Sequence, residues 1–121
     1  ECEGVKISCK SGVVKGKKIK KLVVSSYRTT SYGHLEEKLN YLDQQHEDVI
    51  FSLVYDEDKY KIYAFNQPKV KNLEWKETKG QWKTVDSDWN EFKICKKMSD
   101  QFWMHLSLDH WNSWGIKIYD L

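Results

Sequence analysis

From residue 48 to residue 119 the chain is a succession of short apolar runs with alternating side chains, closed by polar or glycine-bearing turns. This period of two commits most of the sequence to β-structure. Residues 48–55 form a buried apolar run, and Asp56-Glu57-Asp58 reverses the chain. Residues 59–66 then alternate Tyr60, Ile62 and Ala64 with Lys59, Lys61 and Tyr63, so the two runs make an antiparallel hairpin. Residues 70–78 place Leu73 and Trp75 on one face and Glu74 and Lys76 on the other. Lys79-Gly80 turns the chain into 81–85. Residues 89–95, with Phe92 and Ile94 on one face, are followed by strands at 101–108 and 114–119.

The first third reads differently. Val5 and Ile7 alternate with Lys6 and Ser8 as a short strand, which Ser11-Gly12 turns. In residues 17–27, Ile19, Leu22, Val23 and Tyr27 recur at helical spacing, which predicts a helix. Its first turns carry Lys17, Lys18, Lys20 and Lys21 against the helix dipole. Leu35, Leu39 and Leu42 predict a shorter helix over 34–45. One or two N-terminal helices before a meandering antiparallel sheet make an α+β domain.

A single proline, Pro68, and the lack of a Ser/Gly linker or internal repeat give one domain spanning 1–121. With 40% hydrophobic residues, six Trp and seven Tyr, the chain has material for one core. The net charge of +2 excludes a globally basic protein. Residues 1–35 nevertheless hold eight Lys/Arg against two acids, an asymmetry that marks either an anionic partner or solvated surface. No apolar run is long enough for a membrane span, and no signal segment opens the chain at Glu1-Cys2. Cys2, Cys9 and Cys95 make no zinc spacing, and His34, His46, His105 and His110 form no ligand motif with them. No metal or cofactor is expected. The thiols leave two readings open: a bridge formed in an oxidising compartment, or three reduced cysteines.

Several features follow one another in a set order. Cys2-Glu3-Gly4 and Ile7 precede Leu22-Val23-Val24 and Ser31-Tyr32-Gly33-His34. The hairpin, Leu73-Glu74-Trp75-Lys76, Lys79-Gly80 and Trp82 come next, and Asn90-Glu91-Phe92-Lys93-Ile94-Cys95 closes the series. This order resembles the small secreted fungal guanine-specific ribonucleases, and more nearly their RNase-like effector relatives associated with the haustoria of powdery mildew fungi. The resemblance covers residues 2–95 and makes 96–121 a C-terminal extension. It implies an N-terminal helix packed on a curved antiparallel sheet. It also implies a Cys2–Cys95 disulfide, with Cys9 left as the unpaired thiol. In the chain-entropy model a loop of that size stabilises by about 4–5 kcal/mol.

Cleaving RNA through a cyclic phosphate needs a base, an acid and cations for the phosphorane charge. The resemblance maps the first aromatic residue and the first histidine of such a site onto Tyr32 and His34. At the expected place of the glutamate stands Lys59-Tyr60-Lys61, and where the arginine belongs stands Asn72-Leu73-Glu74-Trp75. The stretch expected to hold the second histidine reads Lys83-Thr84-Val85-Asp86. Each lost acid or base typically costs ~10²–10⁴-fold in rate, so the reading is a pseudo-ribonuclease with vestigial Tyr32 and His34. Either His105 or His110 would be the replacement acid if one exists.

The function this implies is that of a secreted fungal virulence (avirulence) effector. It would be a monomer delivered into host cells, acting on host protein or RNA and open to recognition by a plant immune receptor. RNA would meet Lys15, Lys17, Lys18, Lys20 and Lys21, with exposed aromatics stacking on bases. A protein partner would meet Trp75, Trp82, Trp103, Trp111 and Trp114, although alternating Trp on strands is more often core. The alternatives are an active secreted ribonuclease or ribotoxin, and a secreted inhibitor or lectin-like binding module.

Overall fold

Residues Lys21–Arg28, most of the stretch expected to form the N-terminal helix, form a strand in the middle of a mixed sheet with nine strands among the described residues. The computed structural model describes residues 7–16, 18, 20–28, 34–44, 49–96 and 101–121, the side chains of 26–28 excepted. In chain order the elements are β1 (Ile7–Lys15), β2 (Lys21–Arg28), α1 (Leu35–Gln44), β3 (Val49–Asp56), β4 (Lys59–Phe65) and β5 (Lys76–Glu77). They continue with β6 (Gln81–Val85), β7 (Glu91–Cys95), β8 (Gln101–Ser107), α2 (Trp111–Trp114) and β9 (Lys117–Asp120).

The strand order is β5-β6-β7-β8-β2-β1-β3-β4-β9. β1 belongs to both halves of the sheet. Its first part, Ile7 to Ser11, pairs in parallel with β3, and its second, Gly12 to Lys15, pairs antiparallel with β2. The other pairings are antiparallel. β3 and β4 are joined by a tight turn in which Glu57 (φ 52°) and Asp58 (φ 62°) both take the left-handed backbone of a hairpin turn.

The core lies on one face of this sheet. Leu22 and Val24 of β2, Ile50 and Val54 of β3, Phe92 and Ile94 of β7, and Phe102, Met104 and Leu106 of β8 are all buried there. Leu39 and Leu42 of α1 join the same cluster, so the helix covers this inner face. Each such side chain contributes about 1.5–3 kcal/mol through burial. Lys38 of α1 is buried as well, its Nζ 5.7 Å from the centroid of the Trp82 ring.

The α+β expectation, with an N-terminal helix on a curved antiparallel sheet, is thus overturned. The protein is mainly β, its sheet is mixed, and its longest helix among the described residues, α1, follows two strands. The physical reason lies in Leu22-Val23-Val24. All three are buried: Leu22 and Val24 in the core, and Val23 on the opposite face, where it is flanked by Val13 and His105 of the neighbouring strands. A continuous apolar run of that kind satisfies a helical stripe and a central strand equally, and the two β-branched valines favour the strand. The other corrections are local. Ser11-Gly12 is no turn but the middle of β1. Of residues 70–78 only Lys76–Glu77 pair as a strand, and Trp114 ends a helical turn instead of opening β9. Among the described residues no helix is long and apolar enough to cross a membrane.

Gly12 is needed where it stands. A β-carbon there would lie 2.3 Å from Ser52 Oγ and 3.0 Å from Leu22 Cδ1. Ser52 is fully buried, and its hydroxyl has no hydrogen-bond partner among the described residues. Gly12→Ala is expected to destabilise by about 1–3 kcal/mol through overpacking. Ser52→Ala, which removes an unpaired buried hydroxyl, should be neutral or stabilising by about 1 kcal/mol. A double-mutant cycle by denaturant unfolding should show the alanine at 12 costing less once the hydroxyl is gone.

Candidate anion-binding face

The sheet face opposite the core carries a charged array that follows directly from the pairing register. Phe92, Ile94, Phe102 and Met104 point inward, so their neighbours Glu91, Lys93, Trp103 and His105 point outward. Lys76 pairs with Lys83, Lys83 with Lys93, and Lys93 with Trp103. Three lysines therefore stand side by side on adjacent strands and run into an indole ring. One row over, Glu91 pairs with His105, and His105 with Val23 of β2. Lys21 and Lys15 pair with each other at the same end of the face.

Directly opposed like charges destabilise a sheet. The lysine row is therefore an arrangement that the folded protein tolerates at a cost, and that an anion would relieve. Lys76 and Lys83 are exposed, and Lys93 and Trp103 are half-buried. Lys21 Nζ donates to Glu91 Oε1 at 2.7 Å. That hydrogen bond holds the Glu91 carboxyl below the usual carboxylate range, against a smaller opposing effect of burial. Burial, and then the Lys93 ammonium, push the His105 imidazole below its ordinary value of 6.5, with Glu91 pulling the other way.

The chemistry available here is lopsided. At neutral pH Glu91 is ionised and bonded to Lys21, and His105 is uncharged. The pair offers basic groups, and the remaining protons sit on lysines, which are too weakly acidic to protonate a leaving oxygen efficiently. Among the described residues the face thus has cations for phosphates and an aromatic ring for a base, without a matched acid–base pair. Among the described residues no cluster of His, Cys, Asp and Glu is arranged to hold a metal ion.

The residues singled out from sequence are scattered. Tyr32, Lys17 and Cys2 lie outside the described residues. His34 is exposed just ahead of α1, where its carbonyl accepts the Lys38 N–H at 3.1 Å, and it takes no part in the lysine row. Of the lysine run, Lys15 and Lys21 reach the face. Lys18 is exposed in the β1–β2 connection, and Lys20 pairs with Glu57 at 2.5 Å, a contact that raises the pKa of Lys20 and lowers that of Glu57. Trp75 donates from Nε1 to the Val70 carbonyl, and Trp114 from Nε1 to that of Ser107. Both are half-buried against the core. The Trp82 ring also lies under Lys96 Nζ, at 4.9 Å from its centroid. Trp103 alone of the five lies on the lysine face, and Trp111 is exposed on α2. Cys9 is exposed on β1 and Cys95 half-buried at the end of β7, both as free thiols; Cys2, the expected partner of Cys95, falls outside the description.

Sequence reasoning missed Lys76, Lys83, Lys93 and Glu91 as site residues. Alternation put Lys93 and Glu91 opposite Phe92 and Ile94, but only the register between strands aligns the three lysines. Comparison with known protein families, characterised proteins and solved structures returns no match.

Proposed function

We propose that the chain is a non-catalytic binding protein that holds single-stranded RNA on the outer face of β5, β6, β7, β8 and β2. The observation that carries this reading is the Lys76–Lys83–Lys93 row ending on Trp103. Lysines at strand spacing meet successive phosphates, and an indole beside them stacks a base of any identity. Lys15 extends the positive field along the same face, while the charge of Lys21 is paired with Glu91. A fungal virulence effector acting on host RNA is the setting we propose; it rests on the order of motifs in residues 2–95 and not on the ribonuclease-like fold, which the strand order replaces. The imbalance of acid and base supports binding without turnover. A cleavage assay near pH 7 should find no His105-dependent or His34-dependent activity.

His105 supplies the test. It faces Glu91 and Lys93 on β7 and Val23 and Lys21 on β2, with Lys15 beyond. Its folded pKa lies below 6.5, so the stability it contributes is whole above that value and is lost as pH falls through the folded pKa. A bound polyanion favours the imidazolium and opposes that loss. Affinity for an RNA oligonucleotide, read by fluorescence anisotropy, should therefore rise severalfold from about pH 7.5 to about pH 5. The rise should flatten in His105→Gln. Binding that ignores pH and this substitution would contradict the reading.

A further inference from the structure

The turn between β6 and β7 displays a tryptophan in a backbone conformation that tryptophan rarely adopts. Trp89 has φ 69° and is 63% exposed. A bulky side chain in the left-handed region is strained, and this ring has little burial to offset it. The surroundings hold the conformation in place. Asp86 Oδ1 accepts the N–H groups of Asp88 (2.9 Å) and Asn90 (3.0 Å), and Asp86 Oδ2 accepts Asn90 Nδ2 at 3.1 Å. Asn90 is buried, and its Oδ1 accepts the Ser107 N–H at 2.8 Å, which ties the turn to β8. The indole is stacked on the His110 ring, centroids 5.6 Å apart and planes 22° from parallel. His110 Nδ1 lies 2.9 Å from Ser107 Oγ.

We infer that Trp89 is the anchor of a second recognition site, which receives the guanidinium of an arginine in a basic segment of a partner protein. One face of the indole is taken by His110, and the ring is otherwise open. The neighbouring side chains choose the ligand. Asp86 and Asp88 belong to the same turn as Trp89, and Asp109 precedes its stacking partner His110. The two loops that meet at the rings thus carry three acids, a setting that attracts a cation and disfavours the phosphates drawn to the lysine face. A guanidinium meets both requirements, since it stacks on an indole and pairs with carboxylates. The inference is independent of RNA binding, because it rests on a turn at the end of the sheet and not on the lysine row.

Strain makes it testable. Trp89→Gly and Trp89→Asn place residues that accept the left-handed region, so both should leave the melting temperature unchanged or raise it by roughly 2–5 °C. Both should weaken binding of a fluorescein-labelled peptide of glycine-spaced arginines to the whole chain by tenfold or more. Trp89→Phe should retain part of the affinity, and Asp88→Asn with Asp109→Asn should lower it several-fold. Equal binding by wild type and Trp89→Gly would overturn the proposal. So would no binding of the peptide by wild type, or a clear drop in melting temperature for both variants, which would make the ring a structural element. Preference for a neutral oligosaccharide over the arginine peptide would overturn the assigned ligand.

Discussion

Phe102→Ala should lower stability by about 3–5 kcal/mol, a large part of the total for a domain of this size. Phe102 is 1% exposed on β8, and its ring stacks on that of Phe92 with centroids 6.2 Å apart. β8 is hydrogen-bonded on both sides, to β7 and to β2, so the backbone around the cavity has little freedom to collapse onto it. The melting temperature should fall on the order of 10–20 °C. Trp111→Ala, on the exposed α2, should move it by far less. The contrast bears on the architecture. If residues 96–121 were an appendage to a core complete at Cys95, the two substitutions would have similarly small effects. The structure instead places β8 between β7 and β2, so the sheet is not continuous without it.

Lys83→Glu should move stability and binding in opposite directions. Its neighbours across the strands are Lys76 and Lys93. The substitution turns two like-charge pairs into two opposite-charge pairs, each contributing roughly 0.2–1 kcal/mol. The folded state should gain about 1 kcal/mol in denaturant unfolding. RNA affinity should drop tenfold or more at low salt, because a phosphate contact is lost and a carboxylate put in its place. If Lys15, Lys76, Lys83 and Lys93 meet phosphates, Lys21 being bonded to Glu91, the logarithm of the wild-type binding constant falls with that of salt with a slope near −2.8, at roughly 0.7 per contact on a single strand. The variant should show a shallower slope. A residue whose replacement stabilises the fold while disabling binding is retained for function at a cost in stability.

How much of this was legible beforehand differs by level. Period-two alternation located β4, β6, β7 and β8 to within a residue or two, and the apolar run 48–55 located β3. Leu53 and Tyr55 of that run are nevertheless exposed, and it is Tyr63 and Phe65, not Tyr60, Ile62 and Ala64, that β4 buries. Alternation failed at β2, where burial on both faces removes it, and at β1, where Gly12 reads as a turn. Gly12 serves close approach: Ser52 occupies the space its side chain would need. The helix α1 was legible from Leu35, Leu39 and Leu42, the last two of which are buried in the core. For the site, sequence identified residue types without partners. The lysine run at 15–21 stood out by density, yet Lys20 is engaged with Glu57 and Lys21 with Glu91. The row on β5, β6 and β7 was invisible because Lys76, Lys83 and Lys93 are far apart in the chain and meet only through register. Trp89 escaped notice for a related reason, since its strain is a property of φ and its stacking partner His110 comes from another loop.

The outer sheet face as the seat of RNA contact is tested most directly by titrating uniformly ¹⁵N-labelled protein with a single-stranded RNA oligonucleotide and following its amide and indole N–H signals. The perturbations should gather on Lys83, Lys93, Trp103 and His105, with the Trp103 indole shifting as a base stacks on it. Shifts confined to the inner face around α1, or no shifts at RNA concentrations that saturate other single-strand binders, would contradict that assignment.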